Sequence, residues 1–282
     1  MSSVEELPLE LPLPEGLTEK RLREFSPFKG WYTTLKRSLE LQHTNSTHPF
    51  HKDPYSLRSI KIQSFDLFGC APRQRLGFLK LSAKIINNAG EALPGSVFLR
   101  GPSVAMLVML LPDDLPLGEE GDERYVVLTV QARIPAGSLE FVELPAGMVD
   151  EGTFSGTAAQ EIREELGLEI AASELRNLSK MAAATVDTES TGDKSESEGL
   201  PAAMYPSAGG CDEYIPIFMH EIRVPRDTLK EWTGKLTGLR SHGEKITLKL
   251  VKMKDLWREG GRDAKCLAAL TLWEGLRREN KL

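Results

Sequence analysis

The sequence predicts a mixed α/β fold in which helices flank a sheet and a small antiparallel sheet precedes it, and three observations predict it. Apolar runs at Val104–Leu111 and Tyr125–Val130 have the length and composition of buried strands. Helical spacing appears after Leu144 and again from Asp263 to Asn280, where Ala264, Leu267, Ala268, Leu272 and Leu276 line one face. Upstream, β-rich runs from Ser59 to Phe98 are separated by Gly69, Asn87-Asn88-Ala89-Gly90 and Pro94-Gly95, the turn chemistry of an antiparallel sheet. Strand and helix patterns therefore alternate, the order expected where helices cover sheets.

Taken in order, residues 1 to about 18 are rich in Pro, Glu and Leu without a usable period, which predicts an irregular arm. Phe25, Phe28, Trp31, Leu35 and Leu39 lie close to helical spacing, so Leu17–Leu41 should form one or two short helices. The segment His43–His51 holds three of the five histidines. It lacks any Cys and any fixed helical or finger spacing, so a polar loop explains it better than a metal site. The sheet predicted over 59–98 is too small to be stable alone. Pro112–Asp122 reads as a loop, Phe141–Leu144 leads into the Gly/Pro-rich loop that follows it, and Glu174–Met181 reads as a strand or helix. Asp187–Gly199 is polar and of low complexity, which suits a surface insertion. Tyr214–Val224 and Ile246–Lys252 are again strand-like. The resulting division is an arm with short helices (1–54), a small sheet domain (55–98) and a larger domain (99–282) with an insertion at about 186–200.

A net charge of -6 and a pI near 5.6 argue against a general nucleic-acid-binding surface and leave room for local basic pockets. The three cysteines, Cys70, Cys211 and Cys266, are odd in number and far apart, as expected of free thiols in a reducing compartment. The acidic, proline-broken N-terminus has neither signal-peptide nor transit-peptide character, and Val104–Leu111 is too short to span a bilayer. The expected compartment is the cytoplasm, with no membrane partner.

The chemistry concentrates in Leu144–Leu168. Ser155 or Thr157 is placed to cap a helix, Ala158, Ala159, Ile162 and Leu166 form an apolar stripe, and Gly167 sits where a left-handed C-cap belongs. These limits predict a helix of roughly three turns. Glu161, Glu164 and Glu165 then stand at i, i+3 and i+4 on one face, away from the stripe. Such like-charge pairs repel by a few tenths of a kcal/mol, and carboxylates near a helix C-terminus oppose its dipole. A solvated acidic face competes with a cation site. The preceding loop favours the cation, because Pro145, Gly147 and Gly152 let backbone carbonyls approach the helix. An all-oxygen site suits Mg2+, with Mn2+ as the alternative ion. Arg100 and Arg133 lie at strand ends or loops, where a guanidinium can take phosphate oxygens in pairs or form a surface ion pair. Gly209-Gly210 permits a tight or mobile turn from which Glu213 could reach a water.

This stretch resembles the signature of the Nudix hydrolases, Gly-x5-Glu-x7-Arg-Glu-U-x-Glu-Glu-x-Gly-U with U aliphatic. Gly147, Glu161, Ile162, Glu164, Glu165, Gly167 and Leu168 match it. Gln160 stands in place of the Arg, and the loop is one residue short, leaving Thr153 near the place of the first Glu, with Glu151 beside it to take over part of that role. In the family the Arg and first Glu hold each other, so their joint absence implies an exchanged structural contact. Gln131-Ala132-Arg133 and Pro206–Glu213 resemble the ADP-ribose and ADP-sugar diphosphatase branch. Arg100-Gly101-Pro102, Thr237–Glu244 and Asp263-Ala264-Lys265 resemble the ADP-sugar enzymes in particular.

What the resemblance implies is an α/β/α sandwich that hydrolyses a nucleoside diphosphate sugar to AMP and a sugar phosphate. It implies Mg2+ on Glu161, Glu165 and the carbonyl of Ala146, with Glu164 on a further ion. Arg133 would grip a phosphate, with Arg100 a second contact. Glu213 would be the general base, with Asp212 its nearest rival. It also implies a homodimer in which the small sheet helps hold adenine, with Phe65 or Phe68 as a stacking face unless core packing claims them. Two other readings stand beside this one: hydrolysis of another nucleoside diphosphate derivative such as a dinucleotide or coenzyme A, and a non-catalytic nucleotide sensor.

Overall fold

The computed structural model describes residues 7–70, 74–116, 123–149, 153–187, 197–238 and 245–282. The chain forms a mixed α/β fold with two sheets flanked by helices, divided into two compact units.

The first unit comprises Met1–Pro102, Thr191–Pro201 and Ser207–Glu213. Helix α1 (Glu19–Glu24) is capped by Thr18, whose hydroxyl accepts from the Arg21 amide. Helix α2 (Ser26–Thr44) is longer than the sequence pattern suggested, at 19 residues. Pro27 falls in its first turn, where a missing N–H costs nothing, and its last turn closes when the Asn45 amide donates to the Leu41 carbonyl. The histidines beyond it serve the loop: His51 Nδ1 lies 2.8 Å from the Gln42 carbonyl, and His48 Nδ1 accepts from the Phe50 amide.

Strands β1 (Ser56–Phe68) and β2 (Arg75–Ile86) pair antiparallel over their length, and β3 (Ala92–Leu93) and β4 (Ser96–Leu99) add to β2. Burial alternates along β2: Leu79, Leu81, Ala83 and Ile85 face inward, and Lys80 and Lys84 face out. The inward set packs with Leu22, Phe28, Ile60 and Leu99. From residue 7 the N-terminal arm is not loose. Leu9 bridges to Ile60, whose amide donates to the Pro8 carbonyl at 2.7 Å, and Leu7, Leu9 and Leu13 pack on this core.

The second unit comprises Ser103–Ser190, Ala202–Pro206 and Tyr214–Leu282. Among the described residues its sheet has the strands β5 (Ser103–Pro112), β6 (Tyr125–Arg133), β7 (Ser138–Glu143), β8 (Ala146–Met148), β9 (Arg176–Asn177), β10 (Ile217–Val224), β11 (Leu236–Thr237) and β12 (Ile246–Lys252). The order is β11-β12-β6-β5-β10-β9, and among the described residues β5 and β10 pair parallel and the other neighbours antiparallel. Every residue of β5 is buried, because both faces of the sheet are covered. Val104, Met106, Val108 and Leu110 pack with Ala158, Ile162 and Leu166, and with Leu229 and Trp232 of α5 (Arg226–Trp232). Ala105, Leu107 and Met109 pack with Leu178 of α4 (Leu178–Asp187), Leu256 of α6 (Leu256–Glu259), and Cys266, Ala269 and Leu276 of α7 (Ala264–Arg278). The result is a three-layer α/β/α arrangement.

Strands β5 and β6 pair directly only at Met109–Leu110 with Tyr125–Val126. Beyond that they part: the start of β5 pairs with β8 and the end of β6 pairs with β7. The β7–β8 connection, Leu144-Pro145, is thereby led into the gap and delivers the chain to the helix that follows.

Candidate active site

Helix α3 (Phe154–Glu161) is capped by Thr153 and not by Ser155 or Thr157: its extended backbone brings the hydroxyl to 3.1 Å from the Gly156 amide. The predicted three-turn α-helix ends early, and Ile162–Leu166 form a π-helical turn closed by Gly167 at φ 74°. In this wider turn Ile162, Glu165 and Leu166 are all buried, Glu165 at 2% exposure. The three glutamates therefore do not form a uniformly solvated acidic face. Glu165 is buried, and Glu161 and Glu164 stay half-buried. Glu151 lies outside the described residues, as does most of the insertion expected at about 186–200.

Glu161 is pressed against β8. A Cβ at Gly147 would overlap the Glu161 carboxylate, so only glycine allows this approach. Glu165 Oε1 lies 3.5 Å from Gln131 Nε2, and Glu164 Oε1 accepts from Gln160 Nε2 at 2.9 Å. Gln160, at the place of the signature arginine, thus orients Glu164 without neutralising it. Among the described residues no three His, Cys, Asp or Glu side chains converge as a ready-made metal site. Mg2+ needs only one or two carboxylates, with water and substrate phosphate completing the shell. Glu161 and Glu165, with the half-buried Ala146 beside Gly147, meet that lesser requirement in donor type.

Arg133, at the end of β6, donates from Nε to Glu143 Oε1 at 2.6 Å. Its terminal nitrogens make no other hydrogen bond among the described residues, and the side chain is 39% exposed. Behind it lies a network that the sequence did not reveal. Lys265 Nζ donates to Glu143 Oε2 and to Asp263 Oδ1, each at 2.9 Å. Asp263 Oδ2 accepts from the Leu144 amide at 2.9 Å and from the Cys266 thiol at 3.3 Å. Burial works against the charge on Lys265, but Asp263 and Glu143 outweigh it and hold the ammonium above the usual lysine range. Burial also pushes the Cys266 thiol up, followed in effect by the negative charge of Asp263. The sequence marked Asp263-Ala264-Lys265 by resemblance alone and gave no sign of these contacts.

In the first unit, Asp212 accepts the Arg100 amide at 2.8 Å and the Gly101 amide at 3.2 Å. Its carboxylate is thus committed to backbone, and burial raises its pKa above the usual value. The neighbouring Glu213 is buried, with Oε2 3.3 Å from Arg100 Nη1. The Gly209-Gly210 turn is tied down: Gly210 and Cys211 amides donate to the Ser207 carbonyl, and Gly210 accepts from Phe98. Phe65 packs against the core of the small sheet, and Phe68 meets Phe78 edge-on at 4.8 Å. Among the described residues, no helix is long and apolar enough to cross a membrane.

No protein-family model matches the sequence. The chain is 39% identical over 227 residues to Nudix hydrolase 14, chloroplastic, of Arabidopsis thaliana, covering 79% of this chain and 64% of that protein, less than two thirds of its length. The crystal structure of an ADP compounds hydrolase aligns with a TM-score of 0.45 at 15% identity, covering 80% of this chain and 99% of that one.

Proposed function

From the premise that the chain belongs to the Nudix family of hydrolases, we propose that it hydrolyses the diphosphate bridge of an ADP-sugar or ADP-ribose, with Mg2+, to AMP and a sugar phosphate. The observation that carries this reading is the seating of Glu161 against Gly147 with Glu165 buried one turn on. Two carboxylates held this way have little use in a plain solvated helix.

Glu161 and Glu165, with the Ala146 carbonyl, would hold the cation, and Glu164 a further one. When bound, such a cation neutralises the diphosphate and makes a nearby water more acidic. Arg133 is anchored through Nε, which leaves its two terminal nitrogens to take a pair of phosphate oxygens. Glu213 would accept the proton of the attacking water as the new P–O bond forms, and the bridging P–O bond breaks with its electrons leaving on the departing phosphate. Asp212 is the weaker candidate for that base, because both its oxygens already accept backbone N–H groups. Arg100 beside Glu213 would add a second phosphate contact. The reading retains a homodimer formed through the small sheet of residues 55–98, after an arm and helices in 1–54, with the chemistry carried in 99–282.

The test is AMP release by purified protein with Mg2+ from ADP-glucose, ADP-ribose, a dinucleotide and coenzyme A. Turnover of the first two above the others is expected. Preference for a dinucleotide or coenzyme A would move the substrate class. Binding by calorimetry without any AMP release would replace catalysis with sensing.

A further inference from the structure

We infer that Lys265 and Asp263, at the start of α7, are positioning residues that hold both the phosphate-gripping arginine and the cation-binding loop in place. The inference rests on the reading of Arg133 and Ala146 given above.

The argument is one of connectivity. Glu143 has two oxygens and both are used: Oε1 on Arg133, Oε2 on Lys265. Fixing the carboxylate from the Lys265 side therefore fixes the direction in which it presents Oε1, and with it the plane of the Arg133 guanidinium. Asp263 is likewise divided. Oδ1 takes the Lys265 ammonium and the Lys265 amide, capping α7, and Oδ2 takes the amide of Leu144. Leu144 is two residues before Ala146 and directly precedes Pro145, so its amide is a natural anchor for the loop. Glu143 and Asp263 are about as buried as core residues, at 3% and 4% exposure.

The charges also balance. Two carboxylates meet one ammonium and one guanidinium, so no buried charge is left alone. A surface lysine could be replaced without consequence, but here its loss would leave two buried carboxylates facing each other through Lys265's former place. A lysine is apt because its single ammonium can bond both carboxylates at once. The consequence is that a residue 132 positions after Arg133 in the chain (265 − 133) sets the geometry of substrate binding while remaining behind it.

The experiment compares Lys265→Met, Lys265→Arg and the double variant Glu143→Gln/Lys265→Met with the full wild-type chain. For Lys265→Met, KM for the ADP-linked substrate and the Mg2+ concentration for half-maximal rate should both rise, by on the order of tenfold to a hundredfold, the range typical of lost outer partners of a charged site. Lys265→Arg should restore most of the loss by keeping the charge. The double variant removes the repulsion between carboxylates and should fold even if the single one does not, yet retain the raised KM. A merely structural lysine would instead lower the folded fraction and leave KM alone, which overturns the inference. Hydrogen exchange at the Leu144 amide gives a reading that needs no activity: faster exchange in the folded double variant is expected, and an unchanged rate refutes the anchor. Should the wild-type release no AMP, the functional reading fails on its own, and the exchange experiment still decides the positioning claim.

Discussion

Gly147→Ala separates what this site needs for chemistry from what the fold needs for stability. The added methyl would overlap Oε1, Cδ and Cγ of Glu161, so the carboxylate must move by about 1 Å or more to restore ordinary contact. Stability should suffer little. The obstacle is the far end of a flexible, half-buried side chain, and the cost should sit near the low end of the roughly 1–3 kcal/mol seen for overpacking. Catalysis should suffer much more, because misplacing a reacting group by about 1 Å can cost on the order of a hundredfold, or about 2.7 kcal/mol of barrier. The assay pairs a denaturant titration with initial rates of AMP release across a Mg2+ series. A shift of the Mg2+ midpoint together with the rate loss is expected. Wild-type rates and midpoint in Gly147→Ala, or a rate loss equal to the loss of folded protein, would refute the seating of Glu161 as a functional contact.

Glu165→Gln keeps the shape of the buried side chain and removes its charge, so AMP release should fall at least about a hundredfold, roughly 2.7 kcal/mol, with an unchanged circular dichroism spectrum. Arg133→Lys should still pair with Glu143 but cannot offer two parallel donors, and steady-state kinetics should show KM raised by about tenfold, the worth of one charge-assisted hydrogen bond. Asp212 has its pKa raised by burial, so the folded protein binds this proton more tightly than the unfolded chain. Its contribution to stability is therefore greatest in acid and is lost as pH rises from the ordinary value of 3.8 through the raised one. Denaturant midpoints of wild-type minus Asp212→Asn should fall with pH across that window, and a rising or flat difference would contradict the burial argument.

Much of the architecture was legible because burial repeats with a short period. In β5 alternate residues serve two different cores, and an unbroken apolar run is what such a strand must look like. The turn signals before β3 and β4, and Gly167 as a left-handed cap, were equally local. What could not be read depends on partners distant in sequence. The π turn buries Ile162, Glu165 and Leu166, the first and last of them in the layer against β5, and a window of residues carries no sign that helical spacing will widen there. Ser155 and Thr157 offered the same capping chemistry as Thr153, and only the extended backbone at Thr153 decides between them. The contacts of Lys265 and Asp263 with Glu143 and Leu144 span 122 and 119 positions, and no spacing rule reaches so far.

The exchange of Arg for Gln160 takes its meaning from this geometry. In the signature the arginine at that position pairs with the first Glu, near whose place Thr153 stands here, so the two members of that pair are absent together. Gln160 supplies the hydrogen bond to Glu164 and leaves its charge in place. With Glu165 buried and Glu161 held against Gly147, neither of the other two carboxylates is free to turn far into water to lessen the repulsion. Losing one positive and one negative side chain together leaves the net charge of the segment unchanged, and the helix end adds to the negative potential of the turn. A cation shared with a diphosphate relieves all of these terms at once, whereas a neutral ligand relieves none. The departure from the signature thus leaves Glu161, Glu164 and Glu165 in place, as expected if the absent pair served the loop and not a cation.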